Sequence, residues 1–261
     1  MLVVEPGDGP RLWADGADNL HGIMRITATV SAVGKAIPAR DAHTGARPAL
    51  YGLLKRVSPD AATLIHEHGW QGSGRKPWSV RPPVEALVAG SVGKLVIATP
   101  IEELAEMFAT GLSLGRTLHW GTTDLTIEAV VSAASPLVEG LTEWTAVTPT
   151  VVRGNDDRPL LPNEGGWAEA LRHYVVRAAQ WLRVEVPDVK AVSGSGRVIV
   201  PVDGRNRACT RRASVLVEGA PVAISAIADL GLGWRCTEGF GFIEAAAQTT
   251  TSRPTGEGGR R

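Results

Sequence analysis

Two cysteines, Cys209 and Cys236, in 261 residues are too few for a disulfide framework and, by themselves, for a zinc site. Free thiols in a reducing compartment are the expectation. Long apolar runs are missing as well. No stretch approaches the ~18 apolar residues of a membrane-spanning helix, and MLVVEPGDGP has neither the basic start nor the apolar run of a signal peptide. A cytoplasmic protein with no membrane partner is therefore expected. Net charge is absent too: 27 Lys/Arg balance 27 Asp/Glu, which argues against a nonspecific polycation. The balance is uneven along the chain, because Lys190 onward holds ten Lys/Arg against six Asp/Glu and leaves 17 against 21 before it. Such asymmetry suits an anionic partner at one face, although a modest surplus also occurs on an ordinary solvated surface.

What is present is periodicity and glycine. Met24, Ile26, Ala28 and Val30 alternate with Arg25, Thr27, Thr29 and Ser31, the period of two of a strand buried on one face. Leu50, Leu53, Leu54 and Val57 recur at helical spacing, and Ser58-Pro59 supplies an N-cap and first-turn proline for a second short helix through Glu67. Gly93–Thr99 reads as a strand. Ile101, Leu104, Ala105, Phe108 and Leu112 form one helical stripe, and a strand follows with Leu125, Ile127, Ala129 and Val131 predicted on one face. This order is the ferredoxin-like βαββαβ plan.

The second half repeats it. Trp144–Arg153 reads as a strand, and Trp167–Arg183 as a helix with Trp167, Leu171, Val175, Ala178 and Leu182 inward. Arg197–Val202 and Ala213–Val217 read as strands, Pro221–Leu230 as a helix ending at Gly231, and Gly241–Ala246 as a last strand. The predicted fold is α+β: two tandem ferredoxin-like (RRM-like) βαββαβ domains, 22–135 and 141–247. An N-terminal extension, 1–21, precedes them, and a polar, aperiodic tail, 248–261, follows and is expected to be disordered.

Near the end stands GLGWRCTEGFG, Gly231 to Gly241, with glycines at 231, 233, 239 and 241. Ordered glycine loses more conformational entropy than any other residue, so a cluster implies close backbone approach or positive φ. Successive bare N–H groups form a concave anion site, Arg235 adds a permanent charge, and phosphate is the natural ligand. A nucleotide-dependent enzyme fits poorly, since the first glycines follow a helix and no Gly-Lys-Ser/Thr occurs in the loop.

The stretch resembles the signature of the CRISPR-associated endoribonucleases that cut precursor CRISPR RNA within its repeats, in the superfamily of repeat-associated mysterious proteins. Gly231-Leu232-Gly233, Arg235 and Gly239-Phe240-Gly241 match its Gly-apolar-Gly, basic residue, Gly-apolar-Gly without a gap. Ser58-Pro59 leading to Ile65-His66-Glu67, Lys76-Pro77-Trp78-Ser79, and Thr148-Pro149 leading to Arg153 resemble its other motifs in order and spacing. The resemblance covers roughly 22–247.

It implies a metal-independent endoribonuclease without cofactor. The 2′-hydroxyl beside the scissile phosphate attacks, leaving a 2′,3′-cyclic phosphate and a 5′-hydroxyl. CRISPR repeat RNA would be the partner; other effector subunits and a second copy of the chain stay open. A non-catalytic subunit that holds repeat or guide RNA is the alternative.

Such chemistry asks for a histidine and one or two cationic or hydroxyl donors. His66 is the candidate acid/base, expected at a helix end after the core-facing pair Leu64 and Ile65; the bland alternative is a helix-end histidine bonded to a carbonyl. Lys76 would face transition-state charge, with Arg75 a substitute, unless both merely decorate a solvated loop. Tyr51, fifteen residues before His66, resembles a tyrosine that some family members use beside the histidine, with Lys55 its rival for that place. His66-Glu67-His68 lacks the His-Glu-x-x-His spacing of zinc proteases. RNA-binding candidates are Gly231, Gly233, Trp234, Arg235, Gly239, Gly241, Arg153 and Arg75. Arg172, Arg177, Arg205, Arg207, Arg211 and Arg212 add to the path as a group. Trp234 either stacks on a base or packs into the core.

Overall fold

Alternation along Met24–Ala32 (β1) carries Ile26, Ala28, Val30 and Ala32 into the interior, and two helices, Ala46–Val57 (α2) and Pro59–His68 (α3), follow a single turn of helix at Asp41–Thr44 (α1). The computed structural model describes residues 24–32, 36–38, 41–84, 88, 90–154, 158–202 and 205–247. The extension at 1–21 and the tail at 248–261 lie outside the described residues. The first half continues through Ser79–Arg81 (β2), Val92–Thr99 (β3), Glu102–Ser113 (α4), Thr117–Trp120 (β4) and Thr123–Ala134 (β5). Its antiparallel sheet has the order β2-β3-β1-β5-β4, the ferredoxin-like arrangement with β4 added as a hairpin partner of β5.

The second half comprises Thr142–Ala146 (β6), a two-stranded ribbon of Val152–Arg153 (β7) and Pro159–Leu160 (β8), Trp167–Leu182 (α5), Asp188–Val202 (β9), Arg205–Glu218 (β10), Pro221–Leu230 (α6) and Ile243–Ala247 (β11). The sheet order β11-β6-β10-β9 is again ferredoxin-like. Each half has its own apolar core. Leu50, Leu53, Leu54, Ile97 and Phe108 are buried in the first; Trp144, Leu171, Val175, Val215 and Ile224 are buried in the second. The predicted stripe of α5 is buried at all five positions.

Three sequence expectations are corrected. In β5 the pairing with β1 skips from Thr29↔Ala129 to Val30↔Ile127, so Glu128 is bulged and the phase of the strand reverses. Leu125 is buried as expected, but Val131 is 61 % exposed and Val130 packs on the core instead. The strand expected at Trp144–Arg153 breaks after Ala146, where Thr148 and Pro149 turn to receive the N–H groups of Phe242 and Gly241 at 2.9 Å each. β9 begins nine residues before its predicted start, at Asp188, and β10 eight before its own, at Arg205, because 188–196 holds no buried residue and burial along 205–212 does not alternate.

Polar contacts latch the halves together around Asp229, fully buried at the end of α6. Its Oδ1 lies 3.0 Å from Arg25 Nε of β1, and Ser135 Oγ donates to its Oδ2 at 2.5 Å. Its backbone carbonyl accepts from Ser79 Oγ of β2 at 2.8 Å, and Arg25 also donates to the Ile243 carbonyl at 3.2 Å. Burial outweighs Arg25 and Ser135 and pushes the Asp229 carboxyl up to about 6. The folded chain therefore keeps this proton at a pH where the unfolded carboxyl, near 3.9, has lost it. The stability this proton contributes is complete below about pH 4 and is lost as pH rises through 6. In denaturant titrations the stability of wild type relative to Asp229→Asn is expected to fall over that interval; a pH-independent difference would contradict the assignment.

Candidate functional site

α2 and α3 bring the first candidate residues together. Ser58 ends one helix and caps the next, its Oγ accepting from the Ala61 N–H at 3.2 Å, so the two helices turn back on each other. His66 lies in the last turn of α3, exposed, with the Tyr51 ring of α2 edge-on at 4.9 Å. Trp78 also meets Tyr51 edge-on, at 6.0 Å, and itself packs edge-on against Phe108 at 5.4 Å. Tyr51 is thus the residue beside His66, while Lys55 is exposed one turn further along α2. Burial pushes the Tyr51 phenol up to about 12 against the opposing pull of Arg47, so its hydroxyl stays a neutral donor. Leu64, expected inward, is 58 % exposed; Ile65 alone of the pair reaches the core. His68 faces solvent beside Glu67, at 3.7 Å.

Lys76 reaches this neighbourhood through a loop that closes on itself. The Gly74 N–H donates to the His68 carbonyl at 2.7 Å, and the Trp70 N–H donates to the Arg75 carbonyl at 2.6 Å. Gly69, at φ +74, lets these strands touch: a Cβ there would lie 2.4 Å from the Arg75 nitrogen. The closure delivers Arg75 and Lys76, both half-buried, past the end of α3. Burial lowers the Lys76 pKa, Arg47 lowers it further, and Glu238 opposes them. Arg75 lies 5.8 Å over Trp181, and burial followed by Arg177 lowers its pKa.

The glycine-rich loop departs from its expected role. Gly231, Gly233, Gly239 and Gly241 all have positive φ, and an added Cβ would meet protein atoms in each case: Cys236 Sγ at 2.9 Å, the Val151 carbonyl oxygen at 2.5 Å, Pro82 Cγ at 2.4 Å and the Leu232 carbonyl oxygen at 1.9 Å. The amides are largely engaged inside the fold. Leu232 N–H donates to Gly241, Trp234 N–H to Val151, Gly239 N–H to Cys236 and Gly241 N–H to Pro149. The expected grip by bare amides is therefore corrected. The glycines let Leu232 and Phe240 enter the interior from a tight loop, and what they present outward is the segment 234–238.

Of the two readings of Trp234, packing is the one seen. Its ring packs on a small cluster of Val151, Val200, Cys209 and Phe240. The guanidiniums of Arg153, Arg235 and Arg207 stand 4.0, 4.4 and 5.0 Å from its centroid. Arg235 also bonds Glu238. The loop docks on the first half through His43 of α1, which stacks on Phe240 at 4.4 Å. Burial depresses the His43 pKa to about 4, so at neutral pH this is an uncharged packing group.

Between the halves lies a cleft of about 1180 Å³. Arg47, Arg75 and Lys76 line it from the first half, and Arg153, Arg177 and Arg235 from the second, with Glu169 and Glu238 the only carboxylates among the described lining residues. Trp78, Trp181, Tyr174 and Trp234 interleave with the cations. Low-dielectric walls bearing one sign of charge concentrate field on an anion, and aromatic faces accept bases. Of the four candidate glycines, Gly233 lines the cleft. Arg205, Arg211 and Arg212 are exposed on the β9–β10 hairpin, and Arg172 leans toward Glu169 at 3.9 Å, so these four lie outside the lining.

No protein-family model matches the sequence, and no curated protein matches it significantly. Solved structures do match. An RAMP protein binding different RNA substrates superposes with a TM-score of 0.68 at 14 % identity, over 86 % of this chain and 100 % of that one. A Cas6-related protein from Pyrococcus furiosus gives 0.67 at 14 % identity, over 87 % and 100 %. The fold is that of the Cas6 and RAMP proteins. A Thermus thermophilus Cas6 in a product complex gives 0.58 at 16 % identity, over 86 % and 100 %.

On this Cas6 fold the residue that sequence reasoning missed is Arg47. It lines the cleft, and its guanidinium lies 3.0 Å from His66 Nε2. The signal was available: Arg47, Tyr51 and Lys55 recur at four-residue spacing on one face of α2. Tyr174 and Trp181, on the cleft face of α5, were also passed over, because they flank the apolar stripe instead of belonging to it.

Proposed function

We propose that this chain is a member of the Cas6 family and cleaves precursor CRISPR RNA within its repeats without a metal ion. The observation that carries the reading is the meeting of His66, Tyr51 and Arg47 beside a cationic, aromatic-lined cleft. Residues 22–135 would form the catalytic domain, and 141–247 the domain bearing the glycine-rich loop.

RNA brings its own nucleophile. His66 removes the 2′-hydroxyl proton, the 2′-oxygen bonds to phosphorus, and the bond to the 5′-oxygen breaks. Lys76 faces the charge that builds on the phosphate oxygens and gives a proton to the leaving oxygen; its lowered pKa makes it a better acid than an ordinary lysine. Tyr51, held protonated, donates a hydrogen bond and takes no proton. Solvent restores the starting protonation of His66 and Lys76. Arg153, Arg235 and Arg75 track the phosphates, and Trp234 offers ring edge and stacked guanidiniums to the RNA.

The test is cleavage of end-labelled repeat RNA in excess EDTA, with the product termini analysed. A single cut leaving a cyclic phosphate and a 5′-hydroxyl is expected. The likeness to an RAMP protein binding different RNA substrates supports a second reading, an RNA-holding subunit. Tight binding with no cut would favour it, and absence of binding would overturn both.

A further inference from the structure

Nothing in the cleavage scheme above uses Arg47, yet its guanidinium touches the proposed base. The side chain is exposed in the first turn of α2, and its Nη2 lies 3.0 Å from His66 Nε2. A guanidinium has hydrogens to donate and no lone pair to accept with. Nε2 is then the acceptor, and the proton of the neutral ring sits on Nδ1. The same guanidinium acts electrostatically on Tyr51 and on Lys76, so it stands among the three groups. Arg47 lines the cleft, which His66 does not, so the hydrogen bond turns Nε2 toward a group of the cleft wall.

We infer that Arg47 is a positioning residue for His66, fixing the imidazole as its Nδ1–H tautomer with the Nε2 lone pair toward the cleft. This rests on the cleavage reading. An imidazole free to rotate or change tautomer presents a lone pair to the 2′-hydroxyl only part of the time. A phosphate oxygen, being charged, is a better acceptor for a guanidinium than a neutral ring nitrogen. Entry of the scissile phosphate draws Arg47 onto it and leaves Nε2 open to take the 2′-hydroxyl proton. The exchange conserves hydrogen bonds on Arg47, and it exposes the base only when substrate is in place.

Two measurements test this. In the free protein, long-range proton–nitrogen spectra of the imidazoles, with His66→Ala identifying the His66 signals, are expected to show Nδ1–H at His66. In Arg47→Ala, the signal is expected to move toward the Nε2–H form. An unchanged His66 spectrum in Arg47→Ala would overturn the inference, whether or not the protein cuts RNA.

In single-turnover cleavage with protein in excess, Arg47→Ala is expected to lower the rate at saturation by roughly 10- to 100-fold, the scale of a misplaced reacting group, with Kd changed far less. Added guanidinium ion is expected to restore part of the Arg47→Ala rate and none of that of His66→Ala. A loss confined to Kd would reduce Arg47 to one more phosphate contact and overturn its positioning role. If wild type fails to cut while the spectra behave as described, the cleavage reading fails and the Arg47–His66 coupling stands.

Discussion

His66→Ala is expected to lower the single-turnover rate of repeat-RNA cleavage in EDTA by ~10²–10⁴-fold, the usual contribution of a positioned acid/base. The fold should be indifferent to the change, because His66 is exposed and its contacts are one guanidinium and one ring edge. Affinity should change little, since the six cations lining the cleft stay in place. His68→Ala is the internal control. Two residues further on, that side chain faces solvent, so its loss should leave the rate unaltered. Equal rates for wild type and His66→Ala would remove His66 from the chemistry and return attention to Lys76 and Tyr51. Equal losses for both histidine variants would mean that α3 had been disturbed as a whole.

The helices were legible because their signals are local. Ser58-Pro59 caps α3, α6 stops at Gly231, and the α5 stripe needs only a count of residues. The strands were legible where one face is buried against water on the other. β1 kept its alternation throughout, whereas β5 lost phase at Glu128, and a bulge leaves no mark in a single sequence. The start of β9 and the start of β10 were missed for the opposite reason: 188–196 has no buried residue and burial along 205–212 does not alternate, so no period distinguishes them from a loop.

The site divides in the same way. Resemblance placed His66, Lys76 and Tyr51, and the fold brings Tyr51 against the His66 ring. Burial of Leu64 was expected from its place beside Ile65, but α3 is a surface helix with two buried positions, Ala62 and Ile65, and Leu64 falls on its outer side. Arg47 was overlooked because motif reading begins at residues with known chemistry, and an arginine at a helix start has none until a histidine is seen 3.0 Å away.

Gly241→Ala is expected to destabilise the protein by roughly 3 kcal/mol, from left-handed backbone strain of ~1–2 kcal/mol and a lost backbone hydrogen bond of ~1 kcal/mol. At this chain length that lowers Tm by about 6–12 °C. The methyl group would stand 1.9 Å from the Leu232 carbonyl oxygen, inside any tolerable contact, at φ +58. Relief requires opening the neck of the loop, where the Leu232 N–H donates to the Gly241 carbonyl at 2.8 Å. Leu232, Phe240 and Phe242, each at most 2 % exposed, would then lose their packing. Gly52→Ala provides the contrast. Gly52 sits in the interior of α2 at ordinary φ with nothing within 4 Å of an added Cβ, so there the same change should raise stability by ~0.8–1 kcal/mol through helix propensity. The pair separates two explanations of the glycine cluster. If the glycines existed to offer amides to phosphate, Gly241→Ala would melt with wild type and fail only in RNA binding. If they exist to fold the loop that carries Trp234 and Arg235 to the cleft, the variant loses stability in the absence of RNA, and its loss of affinity follows from the displaced loop.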